Sequence, residues 1–319
     1  MVVIGSILLS SCDSYLDIQP VGQVIPTTLT EYRALLTTAY GLKLIDKSVT
    51  EFRTDIAMVT DNSNSQNFYS EIEKWNDMSP KDGTREFGWA VYYSVIYYAN
   101  AIIDNIKEGS QEDIDQLVGE AYLLRGYMHF ILANLYGQPY TKEGAPETKS
   151  IPIKWDLDLE VVLPRNTVKE VYTAILSDIE SARGLMHQKE WEAVYAYRFS
   201  TLSVDAMESR VRLYMGNWKE AYDAAERILV QKSTLEDLND PEAKLPNNYT
   251  SAEMITAYEF FNDDVTSASI LIPAFMEKYD ANKDLRRNKY YSLSGDKYIS
   301  KKSGKAEHNC TFRTGEIYL

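Results

Sequence analysis

Apolar residues along this chain recur mostly at three- and four-residue steps, the period of helices that bury one face. Thr28 and Glu31 form a capping box, and Tyr32, Leu35, Leu36, Ala39 and Leu42 follow on one stripe. Trp89, Tyr93, Ile96, Asn100, Ile103 and Ile106 predict a second helix. Leu117, Ala121, Leu124, Met128, Ile131 and Leu135 predict a third, ended by Gly137 and Pro139. Leu123, Tyr127 and Phe130 lie beside that stripe, so this helix is expected to be buried on much of its circumference. A loop over 138–166 carries a short strand-like patch, Ile151-Pro152-Ile153. Thr167 and Glu170 then cap a helix with Val168, Tyr172, Ile175, Ile179, Ala182 and Met186 on one face.

Two more helices, about 201–215 and 218–231, are split by Gly216-Asn217. Small residues Ala221, Ala224 and Ala225 let the second approach the first closely, as in the turn and second helix of a tetratricopeptide repeat. The helices near 89–107 and 117–136 make a comparable pair. Beyond about residue 240 the periodicity weakens into polar, Tyr-rich segments, expected as loops with short strands and few helices. The fold class is therefore mainly α, helical-pair repeats with a less regular, loop- and strand-containing part that faces ligand.

The N-terminus changes the picture. Residues 1–11 are an uncharged, mostly apolar run, shorter than the roughly 20 residues that span a bilayer. It fits the hydrophobic part of a signal peptide, and Leu9-Ser10-Ser11-Cys12 resembles a bacterial lipobox, in which the Cys becomes the acylated first residue. Residues 12–24 would be the tether, and residues 25–319 the repeat domain. The first basic residue is Arg33, so a charged leader is expected upstream of the first residue given. With Cys12 lipidated, Cys310 is a lone thiol and no intramolecular disulfide is available. With a net charge of −14, nothing suggests a nucleic-acid footprint. The 24 tyrosines serve half-wet helix interfaces and polar-ligand surfaces alike.

Five segments, in order, make the chain similar to the SusD/RagB family of outer-membrane nutrient-binding lipoproteins. They are GEAYLLRGYMHFILANLYGQPY (119–140), LPRNTVKEVYTAILSDIESA (163–182), SRVRLYMGNWKEAYDAAERIL (209–229), YDANKDLRRNKYY (279–291) and FRTGEIYL (312–319). The resemblance implies a helical protein that docks on a TonB-dependent SusC-type transporter as its lid and holds an oligosaccharide, or in some members a peptide. It implies an outer-membrane location through the lipid anchor, facing the cell exterior, and no cofactor. Family members run past the last motif, so the chain is expected to be the N-terminal part of a longer protein, with Ile317 and Leu319 left without packing partners.

Catalytic chemistry has little to start from. His129, His187 and His308 stand far apart, and no HExxH, GxSxG, P-loop or GxGxxG occurs. His129 reads as a packing residue. Acidic pairs such as Asp263 with Asp264 and Glu71 with Glu73 read as solvated surface. The chain is therefore expected not to be an enzyme and to hold no metal. Sugar binding needs flat rings beside groups that bond hydroxyls. The segment 60–75, TDNSNSQNFYSEIEKW, offers both outside any helical stripe, with Gln66 and Phe68 beside the six candidate ligand residues Asp61, Asn62, Asn64, Asn67, Tyr69 and Trp75. Trp89 and Asn100 resemble family residues but read first as helix-face packing. A second cluster, Tyr258, Phe260, Phe261, Tyr290, Tyr291 and Tyr298, lines the same face or fills a core. A ligand-free scaffold for a protein partner and a glycan-cleaving lipoprotein are the competing classes.

Overall fold

The capping signals set the helix starts. A computed structural model describes residues 26–42, 45–259, 263–301 and 312–317. Helix α1 (Leu29–Tyr40) begins where the Glu31 amide donates to the Thr28 hydroxyl at 3.3 Å and the Thr28 amide donates to the Glu31 carboxylate at 2.9 Å. The Thr27 amide, followed by that of Thr28, holds the Glu31 carboxyl down at about 2. After α2 (Asp46–Val49) and a 3-10 turn over Thr50–Arg53 come α3 (Ser63–Glu73), α4 (Ala90–Asn105), α5 (Gln111–Tyr136) and α6 (Val168–Leu185). Helix α6 starts at the expected box, with the Thr167 amide donating to Glu170 at 2.7 Å.

Helices α4, α5 and α6 pack in sequence around the main core, joined by α1 and later by α7 (Thr201–Tyr214) and α8 (Trp218–Leu229). All six apolar positions expected on α6 and its end are buried, as are both stripes of α5 near its middle. Helix α4 differs from expectation. Its buried face is Tyr92, Val95, Ile96, Ala99 and Ile102, while Trp89 is 40% exposed and Tyr93 and Ile103 sit at the margin. The helix is apolar nearly all round, so periodicity alone does not choose a face; docking of both α1 and α5 does.

The α7–α8 hairpin turns at Gly216 (φ +75°), with the Asn217 amide donating to the Arg212 carbonyl at 2.9 Å. Ala221 and Ala224 are buried against α7, where the Ser209 hydroxyl donates to the Ala221 carbonyl at 2.9 Å. The expected strand patch at 151–153 is not a strand. The Ile153 amide donates to the Asn166 side chain at 3.0 Å, and pairing in this region is limited to an isolated bridge between Lys149 and Thr167.

Six short strands are β1 (Ala57–Val59), β2 (Met254–Thr256), β3 (Ser269–Leu271), β4 (Tyr291–Ser294), β5 (Lys297–Ser300) and β6 (Phe312–Arg313). They pair antiparallel as β1 with β3, β2 with β6 and β4 with β5 among the described residues. The described residues of the late region also hold short helices, α9 (Asp263–Ala268), α10 (Pro273–Met276), α11 (Leu285–Tyr290) and α12 (Thr314–Ile317). Contrary to expectation, Ile317 has partners: it packs on the main core.

Charges from the quoted segments are consumed inside this frame. Arg125 donates to Asp178 through Nε (3.0 Å) and Nη2 (2.6 Å), and through Nη1 to Asn100 (2.8 Å). Arg33 and Tyr40 both donate to the buried Glu120 (3.0 and 3.1 Å), and Arg210 pairs with Glu316 at 2.6 Å. These bonds tie α4 to α5 and α6, α1 to α5, and α7 to α12.

Candidate functional site

The segment expected to be a polar loop is an eleven-residue helix, α3. Its sequence hides this because only Phe68, Tyr69 and Ile72 are apolar, too few for a stripe. Asn62 is the N-cap, its side-chain oxygen accepting from the amides of Asn64 (2.9 Å) and Ser65 (3.3 Å). The helix ends in a Schellman arrangement: the Asn76 amide donates to the Glu71 carbonyl (2.9 Å) and the Trp75 amide to the Ile72 carbonyl (3.0 Å). That arrangement puts Trp75 in the left-handed region, φ +56°, a position usually held by Gly.

Helix α3 is anchored by a small core of its own. Tyr69 and Ile72 pack with Val49, Phe52, Val59, Val265 and Ala268. Glu71 and Glu73 are not the solvated pair expected. Glu71 is buried, and the Asn76 amide group donating at 2.6 Å foremost, with Lys81 and Lys74 nearby, holds its carboxyl below the usual range. Glu73 accepts from the Val59 amide at 2.9 Å, tying α3 to β1.

One side of α3 forms a wall of an open cleft of about 580 Å³, lined there by Asn62, Asn64, Ser65, Phe68 and the edge of Tyr69. The facing walls are Gly83 and Arg85 from the following loop and Ser267 and Ala268 from the end of α9. Three bonds set this geometry: Arg85 amide to Phe68 carbonyl (3.0 Å), Thr60 amide to Ala268 carbonyl (2.8 Å), and Gln66 side chain to Thr60 carbonyl (2.9 Å). Phe68 is 47% exposed and presents its ring to the cleft.

The structure divides the six expected ligand residues. Asn62, Asn64 and Tyr69 line the cleft, though Tyr69 is mostly committed to the core. Asn67 packs against Gly83, where a Cβ would lie 2.6 Å from its Nδ2. Asp61 is exposed beside Lys297 at 3.4 Å. Trp75 is 62% exposed at the far end of α3, its ring stacked on the Arg53 guanidinium at 4.8 Å. Phe68 was named in the segment but is not one of those six, and Arg85 and Ser267 were not singled out by sequence. Phe68 was available from its own segment; Arg85 and Ser267 carry no local signal and reach the cleft by tertiary folding.

In the second aromatic cluster, Tyr258 is fully buried against Tyr40, Tyr127 and Phe199, and Tyr290 and Tyr291 fill a separate small core. Phe260 and Phe261 lie outside the described residues, as do Cys12, His308 and Cys310. Asn100 is buried, and its side chain donates to the carbonyls of Lys154 (3.2 Å) and Asp156 (3.1 Å). His129 is buried too; its Nε2 accepts from the Lys154 amide at 3.4 Å, and burial, with Arg125 nearby, pushes it down to about 3. No group of three or more His, Cys, Asp or Glu among the described residues is placed to hold a metal ion.

Stacked helical pairs beside an open cleft of amides, hydroxyls, one guanidinium and one exposed ring define a helical-repeat protein. Residues 14–213 match the SusD-like family model described as "Starch-binding associating with outer membrane", and the chain belongs to that family. SusD-like protein P38 of Formosa agariphila is 27% identical over 241 residues, covering 72% of this chain and 44% of the relative. The chain thus spans less than half the length of that curated relative. A SusD superfamily protein of Bacteroides thetaiotaomicron superposes with a TM-score of 0.76 at 19% identity, over 92% of this chain and 74% of the other. A laminarin-binding SusD-like protein superposes with a TM-score of 0.69 at 14% identity, over 92% and 79% of the two chains.

Proposed function

We propose that this protein is a nutrient-binding lipoprotein at the cell surface, which captures oligosaccharides in the α3 cleft and delivers them to a TonB-dependent SusC-type transporter as its lid. The observation that carries the reading is the cleft itself, on a chain of a starch-binding, outer-membrane-associated family. An exposed ring, Phe68, covers the apolar face of a sugar, while the amides of Asn62 and Asn64 and the Ser65 and Ser267 hydroxyls replace hydrogen bonds that water gives up. The laminarin-binding relative supports glycan as the ligand class. The protein acts by binding and hand-over, without cleaving its ligand. Its SusC-type partner and its outward-facing anchor follow from the family resemblance.

Calorimetric titration with an oligosaccharide panel and a peptide control tests this. Phe68→Ala and Asn64→Ala are expected to weaken glycan binding severalfold to a hundredfold, about 1–3 kcal/mol, with little change in melting temperature. Trp75→Ala asks whether contact extends past the cleft to the far end of α3. Peptide binding without glycan binding would overturn the ligand class, and new reducing ends on incubation with polysaccharide would overturn the non-catalytic reading.

A further inference from the structure

Arg85 is the one charged residue among the described residues that line the cleft. Its guanidinium makes no hydrogen bond to any described residue. The nearest carboxylate oxygen, Asp46 Oδ1, is 3.9 Å away, beyond hydrogen-bond reach. Asp46 is committed elsewhere: its Oδ2 accepts from the Gly88 amide (3.0 Å) and the Tyr92 hydroxyl (2.8 Å), and the residue is buried. Asp46 therefore supplies a fixed counter-charge behind Arg85 without occupying its donors. A guanidinium has five N–H donors in a planar fork, and leaving them without acceptors at the wall of a cleft costs stability unless water or a ligand takes them.

The position of this cation is built. The Arg85 amide is bonded to the Phe68 carbonyl, and Gly83 (φ +86°) lets the loop come flush against Asn67. Arg85 and the exposed Phe68 ring thereby line one cleft. The N-terminus of α3, capped by Asn62, opens on the same cleft and adds the positive end of a helix dipole. Both features favour an anion in a protein whose net charge is −14. The guanidinium fork also matches the paired oxygens of a carboxylate or a sulfate, and a charged acceptor bonds it about twice as strongly as a neutral sugar hydroxyl does.

We infer that the cleft selects acidic oligosaccharides, glycans bearing a uronate carboxylate or a sulfate ester, with the anionic group on Arg85 and a neighbouring ring on Phe68. This rests on the oligosaccharide reading above and narrows it. The test is titration of the full chain with three probes of matched length: tetragalacturonate, a sulfated galactan tetrasaccharide and neutral maltotetraose. At least one acidic probe is expected to bind tenfold or more tightly than the neutral one, with affinity falling as salt rises. Arg85→Gln is expected to erase that preference by lowering the affinity for the acidic probe tenfold or more, and Arg85→Lys to keep part of it. The uronate and sulfate probes, compared with each other, identify the anion. Neutral binding equal to or tighter than acidic binding would overturn the charge assignment alone. So would acidic binding that Arg85→Gln, with a wild-type melting temperature, leaves intact. Absence of binding by all three would overturn the oligosaccharide reading and this inference with it.

Discussion

At the scale of single residues, Asn62 has two demands on one side chain. Its oxygen caps α3 through the Asn64 and Ser65 amides, and the same residue lines the cleft. Asn62→Ala is therefore expected to cost about 1 kcal/mol of stability, read as a lower denaturation midpoint, besides any loss of ligand. Asn62→Asp keeps the cap and should restore the midpoint. An alanine variant with an unchanged midpoint would remove the capping role. His129 supplies a pH signature. Folded, it stays neutral down to about 3; unfolded, it takes a proton below about 6.5. Between those values the unfolded chain binds more protons, so stability falls as pH falls, by at most about 1.4 kcal/mol per pH unit. Asp178 and Glu120, both pushed up by burial, act in the opposite sense at acid pH, so the histidine is isolated by difference. The gap in melting temperature between the wild type and His129→Gln should narrow as pH drops from 7 to 5. A constant gap would mean that His129 is not buried neutral.

At the scale of elements, periodicity located the helices wherever one face met the core. The α6 stripe from Val168 to Met186 is buried throughout, and the turn at Gly216 lies where the small-residue pattern put it. Gly216 is in the left-handed region, and a Cβ there would meet Thr141 at 3.3 Å. Gly216→Val is expected to lower stability by about 1–3 kcal/mol, and Gly216→Asn by less, because Asn tolerates that backbone conformation. Equal midpoints for both variants and the wild type would discard the strained-turn account. What periodicity missed is also physical. Helix α3 is mostly polar and is held by caps, by Glu73 on the Val59 amide and by a few rings, none of which leaves a stripe. The quoted family segments were legible for a different reason. Their Arg125, Asp178 and Glu120, together with Arg210 and Glu316, are bonded between helices rather than aimed at a ligand. Such a motif identifies a fold and is silent on what the fold binds. Breaking one bond in that set by Asp178→Asn leaves Arg125 buried without its charge partner, an expected loss of about 3–5 kcal/mol by chemical denaturation.

At the scale of the whole molecule, the cleft is assembled from three stretches far apart in sequence: α3, the loop at Gly83 and Arg85, and the end of α9. Only the first was legible, because the other two have no pattern until β1 pairs with β3 and brings Ala268 to Thr60. The membrane side of the function has a separate physical basis. No helix among the described residues is long and apolar enough to cross a membrane. In the proposed reading attachment falls to acylation of Cys12. A single acyl chain gives a partition constant of only about 10⁴ M⁻¹, so durable anchoring requires the several chains of a mature lipoprotein. The tether from Asp13 to Val24 would reach about 40 Å when extended, enough to let the repeat domain swing over a partner in the same membrane. Cys12→Ala is expected to move the protein from the carbonate-washed membrane fraction to the soluble fraction. Its melting temperature and glycan affinity should not change, because the described elements begin only at Leu29. Retention of the variant in the membrane, or a wild-type protein without acyl mass, would reject the anchor. Asp13, next to the Cys, resembles an inner-membrane retention signal of some bacteria, so digestion of intact cells with an added protease distinguishes the leaflets. Cleavage of the wild-type protein under those conditions places the cleft outside the cell, where a lid over an outer-membrane transporter has to be; protection would leave the anchor in place and remove the lid.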